Sequence, residues 1–190
     1  MQVDEAGRGS LAGPVVVTAI SVHKDAPLIS KAGDSKSLSE KVREEIFEEI
    51  INDKNGYYLH RTEIVAESVI DEMNIQKATL HGMQLSTNSL CLSLNELGEE
   101  AYALIDGNVG PTKLRCASRT LVHGDTFCYP IALASILAKV TRDHLMVKAD
   151  MDYPVYGFAK HKGYVGVDDF DSIFKLRITI DFPPTFLVRH

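Results

Sequence analysis

The run Val15–Val22 is the feature of this sequence that most constrains its fold. It is apolar, short and rich in β-branched residues, which is typical of a strand buried inside a sheet. Gly13-Pro14 directly before it is a turn signal, and the adjacent carboxylates Asp4 and Glu5 precede that turn. Adjacent charges gain nothing from a core, so we interpret the pair as part of a site for chemistry. The start of the chain therefore predicts a strand, a tight loop and a second strand.

The rest of the chain alternates between strand-like and helical segments. The Ser-x-x-Glu pattern of Ser37–Glu40 is a capping box that predicts the start of a helix. Pro130 suits the first turn of an almost wholly apolar helix, which we expect to be central. The sequence predicts further strands within 57–64, 101–105 and 121–122. It also predicts a helix that ends at 51, helical structure between 66 and 97 with a break after Asn74, a helix that starts at 130, and a last helix near 168–176. This alternation indicates an α/β fold, which we divide into a core of residues 1–152 and a small helical C-terminal extension of residues 153–190.

Length and composition narrow the class of protein. A chain of 190 residues fits one domain, or one domain with a small appendage. Its three cysteines, Cys91, Cys116 and Cys128, form no C-x-x-C pattern, which favours a reducing compartment. The longest apolar runs fall far short of the ~20 residues of a membrane span, and no signal peptide is visible. We therefore expect a soluble cytoplasmic protein, and a monomer because no apolar stripe suggests self-association.

The net charge of −6 argues by itself against nucleic-acid binding, but the charge is unevenly distributed. Residues 1–106 contain 9 Lys and Arg against 18 Asp and Glu, whereas residues 107–190 contain 11 against 8. Bound divalent ions would offset some of the acidic residues. The distribution fits a locally basic track for nucleic acid and equally a solvated surface of uneven charge, so composition leaves both interpretations open.

Two further carboxylates follow apolar runs later in the chain. Asp106 ends the run Ala101–Ile105, and Asp125 comes shortly after Leu121-Val122. A single aspartate at a strand end is usually a cap or turn residue. Four carboxylates together would form a cage of hard oxygen ligands, which suits Mg²⁺ or Mn²⁺ rather than zinc or copper. Two such ions can support phosphodiester hydrolysis, so the candidate catalytic and metal-binding residues are Asp4, Glu5, Asp106 and Asp125.

Five motifs occur in order along nearly the whole chain: Asp4–Pro14, Asp34–Ser39, Ile105–Asn108, Ala134–Asp143 and Tyr156–Tyr164. Together they resemble the bacterial type 2 ribonuclease H family, ribonuclease HII. The resemblance implies a ribonuclease H-like mixed β-sheet flanked by helices, with a small helical C-terminal extension. It also implies an endonuclease that hydrolyses the RNA strand of RNA–DNA hybrids. Such an enzyme also cuts 5′ to a ribonucleotide embedded in duplex DNA, leaving 3′-hydroxyl and 5′-phosphate ends.

The resemblance implies roles for individual residues. The four metal-binding carboxylates of the family, which hold two Mg²⁺ or Mn²⁺ ions in the catalytic state, match Asp4, Glu5, Asp106 and Asp125. Gly7-Arg8-Gly9 matches the loop that senses the ribose 2′-hydroxyl, the group that distinguishes RNA from DNA. Tyr164 matches a tyrosine that stacks at the junction between the ribonucleotide and the next deoxynucleotide. The implied partners are an RNA–DNA hybrid and a DNA duplex with an embedded ribonucleotide.

Several charged positions allow two interpretations. We expect Lys36 and Lys139 to approach phosphates, although either can equally be a solvated side chain. Asp143 competes with Asp125 as the fourth ligand, and we expect it instead to pair with a basic neighbour. His161 is either structural or a proton carrier beside the site.

The chain also departs from the family pattern. Ser10 replaces the proline that usually follows Gly-Arg-Gly, Thr126–Pro130 is bulkier than expected, and residues 178–190 match only loosely. Two rival functions stay open. A type 3 ribonuclease H usually carries an extra N-terminal substrate-binding domain, for which this chain leaves no room. A catalytically silent nucleic-acid-binding module would not need all four carboxylates. A P-loop phosphate binder is excluded because the sequence lacks Gly-x-x-x-x-Gly-Lys-Ser/Thr.

Overall fold

A mixed sheet of five strands forms the centre of the computed structural model, which describes residues 1–32 and 37–164. The strands are β1 (Gln2–Ala6), β2 (Val15–Val22), β3 (Tyr58–Val65), β4 (Tyr102–Asp106) and β5 (Ala117–Leu121). Their order is β3-β2-β1-β4-β5. Strand β2 is antiparallel to both neighbours, whereas β1, β4 and β5 are parallel to one another. The predicted α/β class and the strand, loop and strand at the start of the chain are confirmed.

Helices cover both faces of this sheet. They are α1 (Glu40–Ile51), α2 (Glu67–Met73), α3 (Ile75–Glu96), α4 (Gly124–Phe127), α5 (Tyr129–Asp152) and α6 (Phe158–His161), with a 3₁₀ turn at Pro154–Tyr156. Helices α2 and α3 pack on the face that carries Val3 and Val17. Helices α1 and α5 pack on the face that carries Ile20. Within the described residues, no helix is long and apolar enough to cross a bilayer.

Helix α5 is the central helix that the sequence predicts. It begins with Pro130 in its first turn, and apart from Lys139 its residues from Ile131 to Val140 are buried. It packs across β1, the central strand of the sheet, and the neighbouring strand β2. A helix that is apolar almost all round is stable only when it is buried in this way.

Two sequence predictions are wrong in detail. The N-cap of α1 is Ser39 rather than Ser37, because the Ser39 hydroxyl accepts a hydrogen bond from the backbone N–H of Val42 at 3.3 Å. Asp125 is not delivered by a strand. Strand β5 ends at Leu121, and the chain turns at His123, whose backbone has a φ of +57°, a left-handed conformation that cannot continue a strand. Asp125 therefore lies in the first turn of α4.

Other predictions are confirmed or lie outside the described residues. The predicted break after Asn74 is confirmed, since Asn74 has a φ of +73° between α2 and α3. Lys36 and the helix predicted near 168–176 lie outside the described residues. Of the proposed extension, residues 153–164 are described. They pack against α5 through Tyr156 and Phe158, which form a buried apolar cluster with Met146 of α5.

Candidate active site

Three of the candidate carboxylates lie towards the carboxyl ends of β1 and β4, which are parallel neighbours. The register pairs Val3 with Ile105, so the next residues, Asp4 and Asp106, lie side by side on the two strands. Glu5 follows Asp4 on β1. The carboxyl ends of parallel strands are where ligands generally bind in α/β proteins. The pairing of β1 with β4 thus concentrates negative charge at one place.

Asp125 joins this group through a tight turn. The backbone N–H of Gly124 donates a hydrogen bond to Asp106 Oδ1 at 2.6 Å, which holds the start of α4 against the end of β4. A Cβ at Gly124 would lie 2.5 Å from Ile131 Cδ1, so a larger residue would push the turn away. Asp125 is buried next to this turn. The structure therefore brings Asp125 beside Asp106, although Asp106 ends a strand and Asp125 lies in a helix.

Asp143 is engaged elsewhere. Its Oδ1 lies 2.7 Å from Lys139 Nζ, one helical turn away on α5. The expected pairing of Asp143 with a basic neighbour is confirmed, and Asp143 is not among the residues that line the cleft described below.

The clustered carboxylates are electrostatically unfavourable as they stand. Burial raises the pKa of Asp4 well above its usual range, and the nearby charges of Glu5 and Asp106 raise it further. The backbone N–H of Glu5, which donates to Asp4 Oδ1 at 2.7 Å, and the Ser135 hydroxyl oppose that shift only in part. Burial also raises the pKa of Glu5, although the Arg8 guanidinium acts against it. A cation between these groups would relieve the repulsion.

The chemistry of the donors fits a divalent metal ion. All four candidate ligands are carboxylates, the oxygen donors that Mg²⁺ and Mn²⁺ prefer. Among residues 1–32 and 37–164, no three Asp, Glu, His or Cys side chains already converge as a ready-made ligand set. In this arrangement Asp4 and Asp106 each accept a hydrogen bond from a backbone N–H. The donor chemistry and the raised pKa values of Asp4 and Glu5 favour a cation at this place.

The Gly-Arg-Gly loop lies beside the carboxylates. Gly7 has a φ of +101°, and a Cβ there would lie 2.3 Å from Arg142 Nε and 2.6 Å from the Pro14 carbonyl. Glycine is therefore required for the loop to pack against α5. Arg8 and Gly9 are exposed, and a Cβ at Gly9 would meet no atom within 4 Å. The loop is fixed on its Gly7 side and open towards a ligand at Gly9.

Tyr164 sits over two basic side chains. Lys139 Nζ and Arg142 Cζ lie 5.2 Å and 5.1 Å from the centre of its ring, within the range of cation–π attraction. The residue remains 38% exposed, which leaves part of the ring accessible for stacking. Lys139 thus contacts both Asp143 and Tyr164, and its charge is shared between them.

His161 holds the backbone that leads to Tyr164. Its Nε2 lies 2.6 Å from the Tyr156 carbonyl oxygen, and its Nδ1 accepts a hydrogen bond from the Gly163 N–H at 3.1 Å. This pattern assigns the neutral tautomer with the proton on Nε2. With both ring nitrogens engaged, the structural interpretation of His161 is the one that the geometry favours.

A single cleft of about 610 Å³ contains all the predicted site residues except Lys36, which lies outside the described residues. Its lining includes Asp4, Glu5, Gly7, Arg8, Gly9, Asp106, Asp125, Lys139 and Tyr164. Sequence reasoning missed Arg43 and Ser135, which also line it. Ser135 could have been noticed as a hydroxyl in an apolar helix. Arg43 carries no such signal, because it resembles any solvated residue of an amphipathic helix.

Comparison with known proteins addresses the family of this chain. The family model of ribonuclease HII matches residues 1–189.

The chain belongs to the ribonuclease HII family. It is 42% identical over 177 residues to the ribonuclease HII of Coxiella burnetii (strain Dugway 5J108-111), covering 93% of this chain and 82% of that relative. It is 43% identical over 162 residues to the ribonuclease HII of Xylella fastidiosa (strain M12), covering 85% of this chain but only 65% of that relative's length. Ribonuclease HII is a family of endoribonucleases that depend on divalent metal ions.

Solved structures share the fold of this chain. The ribonuclease H2 of Pyrococcus horikoshii OT3 superposes with a TM-score of 0.74 at 24% identity, covering 97% of this chain and 90% of that one. The ribonuclease H-like mixed sheet flanked by helices, expected from the resemblance, is confirmed. The family model favours type 2 over the rival type 3 enzyme.

Proposed function

We propose that this chain is an endonuclease that hydrolyses the RNA strand of RNA–DNA hybrids and cuts 5′ to a ribonucleotide embedded in duplex DNA. The products carry a 3′-hydroxyl and a 5′-phosphate. The observation that supports this proposal best is the shared cleft: four carboxylates, a Gly-Arg-Gly loop and a partly exposed tyrosine line one depression. A site for hydrolysis and a site for recognising ribose are thus adjacent.

Asp4, Glu5, Asp106 and Asp125 would hold the metal, Mg²⁺ or Mn²⁺, with two ions in the catalytic state. When bound, such ions activate water and stabilise the leaving oxygen of a phosphodiester. Gly124 keeps Asp106 and Asp125 together, and the Ser135 hydroxyl supports the buried Asp4. These contacts orient the ligands without contributing charge themselves.

Substrate recognition falls to the loop and the tyrosine. The backbone at Arg8 and Gly9 is exposed, so it can approach a ribose 2′-hydroxyl, which both donates and accepts hydrogen bonds. Tyr164 stacks at the junction between ribonucleotide and deoxynucleotide, because an aromatic ring accepts any base or sugar face. Arg8 and Lys139 line the same cleft and attract the phosphates. Lys36 is proposed to act likewise.

The wider setting follows from this activity. We place the protein in the cytoplasm as a monomer that removes ribonucleotides from DNA during repair. Residues 153–190 serve as a helical extension of the catalytic core that contacts the duplex. The contact of Tyr164 with Lys139 and Arg142 of α5 supports the part of this extension that is described.

The test is cleavage of a labelled DNA duplex that holds one ribonucleotide, with Mg²⁺ and separately with Mn²⁺. We expect a single cut 5′ to the ribonucleotide, with ends that ligate as 3′-hydroxyl and 5′-phosphate. An all-DNA duplex of the same sequence is the control and stays intact. Tight binding without a cut in either metal would instead support the catalytically silent module.

A further inference from the structure

Arg142 lies at the junction of the two recognition elements. It is fully buried on α5, yet the four hydrogen bonds it donates go to neutral oxygens. Nε donates to the Pro14 carbonyl at 2.9 Å, and Nη1 donates to the Lys162 carbonyl at 2.8 Å. A buried cation is tolerated only when its donors are satisfied, so these acceptors have to stay in place around it.

Ser10 connects Arg142 to the sensing loop. Arg142 Nη2 donates to Ser10 Oγ at 2.8 Å and to the Ala12 carbonyl at 2.9 Å. The Ser10 hydroxyl in turn donates to the Gly7 carbonyl at 2.7 Å. Its single proton and an acceptor lone pair are both used. Ser10 is fully buried, so water cannot replace either hydrogen bond.

The segment before Tyr164 is fixed to the same loop. The Leu11 N–H donates to the Gly163 carbonyl at 3.0 Å. A Cβ at Gly163 would lie 2.4 Å from the Ala12 carbonyl oxygen, which shows how closely the two backbones approach. The Arg142 guanidinium also lies 5.1 Å from the Tyr164 ring centre. One side chain therefore contacts both the loop that would read the ribose and the ring that would stack beside it.

From these contacts we infer that Ser10 and Arg142 are positioning residues that fix the distance between the Gly-Arg-Gly loop and Tyr164, and thereby set the preference for a single embedded ribonucleotide. This inference rests on the proposed function. A duplex with one ribonucleotide offers one 2′-hydroxyl and one junction, so both elements have to be correctly spaced at once. An RNA–DNA hybrid offers a 2′-hydroxyl at every nucleotide of its RNA strand, so a displaced loop still finds one. Loss of the spacing therefore harms the first substrate more.

The experiment compares kcat/KM for these two substrates in wild type, Ser10→Ala and the control Ser86→Ala. Ser86 is also fully buried, and its hydroxyl donates to a carbonyl within α3, on the other face of the sheet. We expect Ser10→Ala to lower kcat/KM about tenfold on the single-ribonucleotide duplex and less than threefold on the hybrid, since it removes a hydrogen bond to a charged group. Ser86→Ala should leave the ratio between substrates unchanged. Thermal unfolding confirms that each variant is folded.

A double-mutant cycle separates positioning from general loosening. Arg142→Lys keeps the charge but loses the planar set of donors. If Ser10 acts through Arg142, adding Ser10→Ala to Arg142→Lys should change the substrate ratio less than twofold further. An equal loss on both substrates, or no loss, in Ser10→Ala would overturn this inference while leaving the proposed function intact. A wild type that cuts neither substrate would overturn both.

Discussion

The two sides of the cleft differ in how completely their polar groups are satisfied. On the carboxylate side, Asp4, Glu5, Asp106 and Asp125 line the same cleft, and burial and the nearby charges of Glu5 and Asp106 raise the pKa of Asp4. On the recognition side, formed by the Gly-Arg-Gly loop, Arg142 and Tyr164, the donors of Arg142 meet backbone carbonyls and the Ser10 hydroxyl. The carboxylate side needs cations to become favourable, whereas the recognition side is already formed. Under the proposed function, the first would carry the chemistry and the second would provide preorganised binding.

The largest effect is expected on the carboxylate side. Asp106→Asn keeps an oxygen that can accept the Gly124 hydrogen bond, so the turn should survive while a metal-binding charge is lost. Cleavage should fall at least about a thousandfold, since metal ions contribute several kcal/mol to transition-state stabilisation. Single-turnover rates measure this, with the exposed Asp71→Asn on α2 as the control. A rate within tenfold of wild type would remove Asp106 from the catalytic set.

On the recognition side, Tyr164→Ala should lower kcat/KM on a single-ribonucleotide duplex by roughly 5- to 150-fold, because stacking contributes about 1–3 kcal/mol per base. Tyr164→Phe should stay within about threefold of wild type, because its ring still stacks and still lies over Lys139 and Arg142. Steady-state kinetics on the same duplex compare the two variants. Equal losses in both would mean that the hydroxyl, not the ring, carries the contact.

Two glycines of the loop distinguish a position that packs against the protein from a position that is open to a ligand. Gly7→Ala places a Cβ against Arg142 at a positive φ, so it should lower the free energy of unfolding by about 1–3 kcal/mol. Gly9→Ala meets no neighbouring atom within 4 Å and should cost less than about 0.5 kcal/mol. Denaturant unfolding of both variants measures the difference. Gly9→Ala should nevertheless weaken substrate binding, because the added methyl group projects into the open side of the loop. Equal stability of the two variants would contradict the packing described at Gly7.

The smallest effect concerns the stability of the metal-free protein. A carboxyl group whose folded pKa is raised contributes stability at low pH that is lost as pH rises through that pKa. Without metal, the Tm of wild type should therefore fall more steeply than that of Asp4→Asn as pH rises from the acidic range to neutrality. At neutral pH the variant should have the higher Tm, by about 2–4 °C for each kcal/mol of unfolding free energy that the charged Asp4 costs wild type. Thermal scans in EDTA measure this, and added Mg²⁺ should stabilise only wild type. The same dependence of Tm on pH in wild type and in Asp4→Asn would contradict the raised pKa of Asp4.

Local sequence patterns predict much of the fold and of the carboxylate side. The β-branched run of β2, the apolar α5 and the break at Asn74 each follow from a few adjacent residues. Asp106 follows from its position at the end of a short strand, and Asp4 follows from the adjacent carboxylate pair that it forms with Glu5. Asp125 shows the limit, because the left-handed turn at His123 converts an expected strand end into a helix start.

The recognition side depends on contacts that local patterns do not contain. Arg142 reaches Pro14, Ala12 and Ser10 across 128 to 132 positions of the chain. In the sequence it is one basic residue near the end of a helix. Its spacing from Ser135 and Lys139, at i, i+4 and i+7, does place all three on one face of α5. That spacing indicates a polar stripe but not the loop that packs against it.

The most direct test of the difference between the two sides is duplex binding without divalent ions. In EDTA, fluorescence anisotropy would compare the Kd of a single-ribonucleotide duplex with that of an all-DNA duplex of the same sequence. If the recognition side is already formed, the ribonucleotide should improve affinity about five- to tenfold, as expected for a hydrogen bond to one hydroxyl, and cleavage should begin only when Mg²⁺ or Mn²⁺ is added. Equal affinities in EDTA, with discrimination appearing only after the metal is added, would contradict the account.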